Sequence, residues 1–199
     1  MVSTVQVAVL GAPGVGKTSI VQRFVAQEFP EEYTPTEHRE LHQASTVLSG
    51  RLYELHILDV PHMHRYPGTA GQEWMDPRFR GLRNSRAFIL VFDICSPESF
   101  HYVKVLRQQI LDSTSKSPLI VVVGNKRDQQ KHRFAPRQVL SVLVKKSWKC
   151  GYLECSARSN WHILLLFKEL LISVTARGRS TSPSICLQGA LQRERCSIM

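Results

Sequence analysis

Val5-Gln6-Val7-Ala8-Val9-Leu10-Gly11-Ala12-Pro13-Gly14-Val15-Gly16-Lys17-Thr18-Ser19-Ile20-Val21 decides how the rest of this chain is read. The apolar run over residues 5–10 has no basic flank, is too short for a secretory signal, and stops at a glycine loop, so it reads as a buried first strand. Residues 17–27 then place Ile20, Val21, Phe24 and Val25 on one helical face. Between strand and helix lies G-x-x-x-x-G-K-[ST]. In that setting the backbone N–H groups from Gly14 to Ser19 converge on a β-phosphate, and the positive end of the helix adds to their pull. The Lys17 amine would reach the β- and γ-phosphates, and the Thr18 hydroxyl would bind Mg²⁺.

Working outward, the chain alternates strand and helix. Residues 40–48 and 51–59 read as a hairpin turned by Ser49-Gly50. Residues 87–93 and 119–124 are unbroken apolar runs, as strands covered on both faces should be. Helices are expected over 97–111, with Ser96 as N-cap and Pro97 in the first turn, and over 136–148. A short strand over 151–155 and a helix over 160–174 complete the pattern. The expected fold is α/β, a single domain over residues 1–174 with helices on both faces of the sheet. From Thr175 the periodicity stops, and residues 175–199 read as a flexible basic tail.

Composition agrees with one folded unit. The 199 residues are 43% hydrophobic and 21% charged, enough for one core and too few for two ordinary domains. The net charge of +10 suits an anionic membrane, an acidic partner or nucleic acid. Nucleic acid is disfavoured because the basic residues carry no interleaved aromatic platform. Five cysteines without framework spacing point to a reducing compartment, and no pair has zinc-ligand spacing. His62 and His64 read as solvated loop residues.

The base is chosen farther on. Asn125-Lys126-Arg127-Asp128 follows directly on the predicted strand at 119–124, at the carboxyl edge where such sheets bind ligands. The Asp128 carboxylate can accept hydrogen bonds from both N1–H and the 2-amino group of guanine. Adenine lacks that donor pair. Ser156-Ala157, after the last strand, would add backbone contacts to the base.

These three motifs in this order resemble the Ras superfamily of small GTPases, over residues 5–174. The residues Lys149-Cys150-Gly151-Tyr152-Leu153-Glu154-Cys155-Ser156-Ala157 with Asn160-Trp161-His162 resemble the Ras-like protein family, member ten branch. Val2 in place of a myristoylated glycine excludes Arf, and the tail lacks the paired cysteines of Rab. There is no long insertion after Asp128 as in Rho, and no acidic tail as in Ran. The resemblance implies a mixed, mostly parallel six-stranded sheet. It also implies a monomeric GTP/GDP-binding switch served by effectors, an exchange factor and a GAP. Phe29 would stack on guanine, Thr36 would bind Mg²⁺ and sense the γ-phosphate, and Asp59 would support Mg²⁺ through water.

The departures centre on the second switch. The family continues from its aspartate as Asp-Thr-Ala-Gly-Gln, but here Asp59 is followed by Val60-Pro61-His62-Met63. Thr69-Ala70-Gly71-Gln72 comes only after Val60 to Gly68. Two arrangements satisfy this sequence. Either residues 60–68 loop out and Gln72 orients the attacking water, making it catalytic with Lys17 and Thr36, or His62 and Met63 stand in that place. Pro13 replaces a common glycine and crowds the approach of an arginine finger. Arg158 replaces a lysine, keeping the charge. Slow hydrolysis is therefore expected, and a GTP-binding interaction module with negligible hydrolysis is the alternative.

The chain closes with Cys196-Ser197-Ile198-Met199, a C-a-a-X box whose methionine favours farnesyl at Cys196. One lipid holds a protein only marginally, so Arg177, Arg179, Arg193 and Arg195 would add attraction to an anionic leaflet, with Cys186 a candidate for a second acyl chain. The expected location is the cytoplasmic face of the plasma membrane, with a nuclear pool as the lesser alternative.

Overall fold

The computed structural model describes residues 3–114 and 117–177. Its six strands are β1 (Ser3–Gly11), β2 (Glu40–Leu48), β3 (Arg51–Asp59), β4 (Ala87–Asp93), β5 (Leu119–Asn125) and β6 (Gly151–Glu154). They form one sheet in the order β2-β3-β1-β4-β5-β6. Only the β2–β3 pair is antiparallel. The Ras-type mixed sheet expected from the sequence is the one observed.

Period-two alternation sends the side chains of each central strand into two cores. From β1 and β4, Val5, Val7, Val9, Ile89 and Val91 face α1 (Lys17–Val25) and α5 (Ile163–Arg177). There Phe24 and Phe167 stack with ring centroids 3.9 Å apart. Ala8, Leu10, Phe88, Leu90 and Phe92 face α3 (Pro97–Ser113) and α4 (Arg137–Val142) on the other side. Phe92, Phe100 and Trp148 form an aromatic run there.

Helix boundaries move for local reasons. Gln27 takes a left-handed φ of 60°, so α1 stops at Val25. Asn160 and His162 also have positive φ, which delays the last helix to Ile163. That helix runs to Arg177, so Thr175 to Arg177 form its last turn and not the start of a tail. The helix predicted over 136–148 splits into α4 and a π turn at Leu143–Ser147. The Ser96 cap is present, its hydroxyl accepting from the Ser99 N–H at 3.1 Å. Ser96→Ala should destabilise the domain by about 1 kcal/mol, which urea denaturation would measure.

The stretch after β3 does not loop out. Val60, Met63 and Tyr66 are buried in the α3-side core. The Tyr66 N–H donates to Gln109 Oε1 (2.9 Å) and the Tyr102 hydroxyl donates to the Met63 carbonyl (2.6 Å). Among the described residues no helix is long and apolar enough to cross a membrane. Cys95 is half-buried, Cys150 and Cys155 are buried, and all three are free thiols. Cys186, Cys196 and the arginines beyond Arg177 lie outside the described residues.

Candidate nucleotide site

At the carboxyl ends of β1 and β5 lies a cavity of about 820 Å³. One end is the loop between β1 and α1. Buried Val15 pins this loop to the core. Gly16 enters α1 at φ 91°, and a Cβ there would sit 2.4 Å from Asn125 Nδ2, so neither conformation nor space admits a side chain. The first N–H groups of α1 have no helical acceptor, which leaves them as donors to an anion at this end. The Lys17 amine folds over the loop and donates to the carbonyls of Gly11 (3.2 Å) and Ala12 (3.1 Å). Burial pushes its pKa down, partly countered by Asp59.

Beside it three oxygens converge. Thr18 Oγ1 lies 2.7 Å from Thr36 Oγ1 and donates to Asp59 Oδ2 at 2.5 Å. Asp59 Oδ1 is buried with no hydrogen-bond partner. Burial raises the carboxyl pKa, while the bond from Thr18 and the Lys17 charge oppose that shift. Two hydroxyls and a carboxylate with unused acceptor capacity suit a hard divalent cation of Mg²⁺ type, and the residues fit it.

The opposite end is built by contacts across the sheet. Asn125 Nδ2 donates to the Val15 carbonyl (2.9 Å), and its Oδ1 accepts from the Ala157 N–H (3.2 Å). Asn125 therefore braces the phosphate loop and the 156–157 turn at once. The Ser156 hydroxyl donates to Asp128 Oδ1 (2.6 Å). Asp128 Oδ2 takes no hydrogen bond among the described residues and remains free to meet a ligand. Lys126 turns the chain at φ 65° and pairs with Asp93 at 2.8 Å. The Arg127 guanidinium lies 3.8 Å from the Trp161 ring centroid, clamping the 125–128 turn to the segment after β6.

Of the expected contacts, Pro13, Gly14, Gly16, Lys17, Thr18 and Ser19 line the phosphate end. Phe29, Thr36, Asn125, Lys126, Asp128 and Ala157 line the remainder. Gly11, Ala12, Val15, Asp59 and Ser156 stand behind the wall as supports. Gln72 lies outside the lining. It is exposed in α2 (Ala70–Met75), with its N–H bonded to the Thr69 hydroxyl (3.2 Å) and its Oε1 accepting from the Gly68 N–H (2.8 Å). Thr69 is thus the N-cap of α2 and Gln72 reaches back to the residue before that cap, a helix-start role that the family motif conceals. Met63 points into the core. His62, expected to be a solvated loop residue, lines the cavity instead. Its position was legible only as one of two options.

Glycine loop, oxygen cluster and the Asn125-to-Asp128 turn around one cavity define a P-loop nucleotide-binding domain. The Ras family model matches residues 6–176, and the chain belongs to the Ras family. It is 53% identical over 204 residues to Ras-like protein family member 10B from Homo sapiens, covering 100% of both chains. It is 48% identical over 205 residues to member 10A from Homo sapiens, again covering 100% of both. Over 191 residues it is 34% identical to GTP-binding protein Rhes from Mus musculus, covering 90% of this chain and 68% of that one.

Proposed function

We propose that this chain is a membrane-anchored, GTP-binding signalling switch that hydrolyses GTP slowly. The observation that carries the reading is the joint bracing of both cavity ends by Asn125, which places the phosphate loop and Asp128 at opposite ends of one site. Lys17 and the N–H groups of the loop bind the phosphates, and Asp128 reads guanine. Phe29, over which Arg23 lies at 5.6 Å from the ring centroid, covers the base. Mg²⁺ held by Thr18 and Thr36, with Asp59 behind through water, would neutralise charge on the β- and γ-phosphoryl oxygens. Thr36, in an exposed segment, can close on a γ-phosphate and open after its loss, so that effectors read the nucleotide state.

Competition of GTP, ATP and xanthosine triphosphate against a labelled guanine nucleotide, with and without Mg²⁺, tests this reading. GTP should displace the label far better than the other two. Equal displacement by ATP would end the guanine assignment.

Slow turnover is supported by the bond of the Gln72 side chain to the Gly68 N–H, outside the cavity, and by Pro13 at the phosphate rim, since an arginine finger alone is worth about 10³–10⁵ in rate. A GTP-binding interaction module with no measurable hydrolysis is the second reading, favoured by the same placement of Gln72.

The anchor is proposed at Cys196. The Arg177 guanidinium contacts the Ser117 carbonyl (3.3 Å), beside the start of β5, whereas Asn125 ends that strand at the cavity. Seven residues of strand span roughly 20 Å, so Arg177, the last described residue, lies on the side away from the site. An anchored monomer would thus keep its cavity open to exchange factor, GAP and effectors at the cytoplasmic face of the plasma membrane. Cys196→Ser should move the protein to the soluble fraction. Unchanged membrane residence would remove farnesyl as the anchor.

A further inference from the structure

Among residues 60–75, His62 alone lines the cavity. It stands at the phosphate end, three residues after Asp59, whose carboxylate accepts from the Thr18 hydroxyl. The imidazole is held in place. Val60 and Met63 are buried on either side of it, and its ring packs on Tyr102 with centroids 5.2 Å apart. The Tyr102 hydroxyl in turn fixes the neighbouring Met63 carbonyl. His64 meets the ring edge-on at 5.1 Å. His62 Nδ1 is buried without a hydrogen-bond partner, so Nε2, which no described group engages, is the ring nitrogen that can face the cavity.

We propose that His62 is a catalytic residue of GTP hydrolysis: its Nε2 accepts a hydrogen bond from the attacking water and holds it in line with the γ-phosphorus. This rests on the GTP reading above and fills the role that the Thr69-Ala70-Gly71-Gln72 motif suggested for Gln72. The water oxygen bonds to the γ-phosphorus as the bond from phosphorus to the β–γ bridging oxygen breaks, and the electron pair leaves with GDP. The water proton passes to the departing phosphate, so His62 ends the cycle as it began. Burial first, then His64 and Lys17, lower its pKa, which favours the neutral ring with one acceptor nitrogen.

Single-turnover hydrolysis with Mg²⁺ on the full chain tests the assignment, with GTP affinity measured for every variant. His62→Phe preserves the packing on Tyr102 and removes the acceptor. It should slow hydrolysis by about 100-fold, the lower range for a positioned acid–base group, with affinity nearly unchanged. His62→Gln supplies an amide acceptor and should recover most of that loss. Gln72→Leu should leave the rate within about twofold, since that side chain lies outside the cavity. A His62→Phe rate equal to the parent, or a Gln72→Leu loss as large as that of His62→Phe, overturns the proposal. So does a parent that binds GTP tightly without turnover. Failure of the parent to bind GTP instead shows as lost affinity and removes the underlying reading with it.

Discussion

Asp128→Asn is expected to lower GTP affinity by about 10³- to 10⁴-fold and to raise affinity for xanthosine triphosphate. The Ser156 hydroxyl donates to Asp128 Oδ1, and an asparagine carbonyl oxygen can still accept that bond, so the turn should survive the change. What changes is the other atom. A carboxylate oxygen that accepts from the 2-amino group of guanine becomes an amide N–H₂, and two donors then face each other in a partly desolvated site. Xanthine carries a carbonyl at that position and accepts from the new amide. Competition of both triphosphates against a labelled nucleotide measures the exchange. An asparagine variant with no gain for xanthosine triphosphate would mean that Asp128 does not read the base.

Gly16→Ala should cost nearly as much by a different route. At φ 91° an L residue carries about 1–2 kcal/mol of backbone strain, and the added methyl would fall 2.4 Å from Asn125 Nδ2. Asn125 would have to move, releasing the Val15 carbonyl and the Ala157 N–H that it now satisfies. Each buried group left unpaired costs about 1–3 kcal/mol. GTP affinity should fall at least 100-fold, and the melting temperature by roughly 10 °C. Gly14→Ala is the internal comparison. It shares a positive φ, 71°, but a Cβ there meets nothing within 4 Å, so only backbone strain should register. Equal losses at the two positions would show that the contact with Asn125 is not what makes Gly16 necessary.

Much of this molecule is written locally. The apolar run into Gly11, the loop to Lys17 and the helix that follows need only near-neighbour sterics and period, and they appear where the sequence puts them. The continuous apolar stretches of β4 and β5 announce burial on both faces. The β2–β3 hairpin is set by the turn between two strand-like runs. Boundaries are less legible. The start of α5 depends on the left-handed Asn160 and His162, which no periodicity reports.

The sequence by itself determined the loop between β1 and α1, the turn after β5 and the succession of the six strands, because each is encoded within about a dozen neighbouring residues, whereas α2 was not read from it. Tertiary structure alone decided which residue after Asp59 lines the cavity. That choice depends on the burial of Val60, Met63 and Tyr66 against Phe88 and α3, and on the placement of Gln72 in the first turn of α2, bonded back to Gly68. Motif spacing registers neither effect: burial is a property of distant partners, and the same Thr-x-x-Gln letters serve a helix end as well as a switch. The role of Asn125 as a brace was hidden for the same reason, since its partners Val15 and Ala157 come near it only when the sheet is assembled.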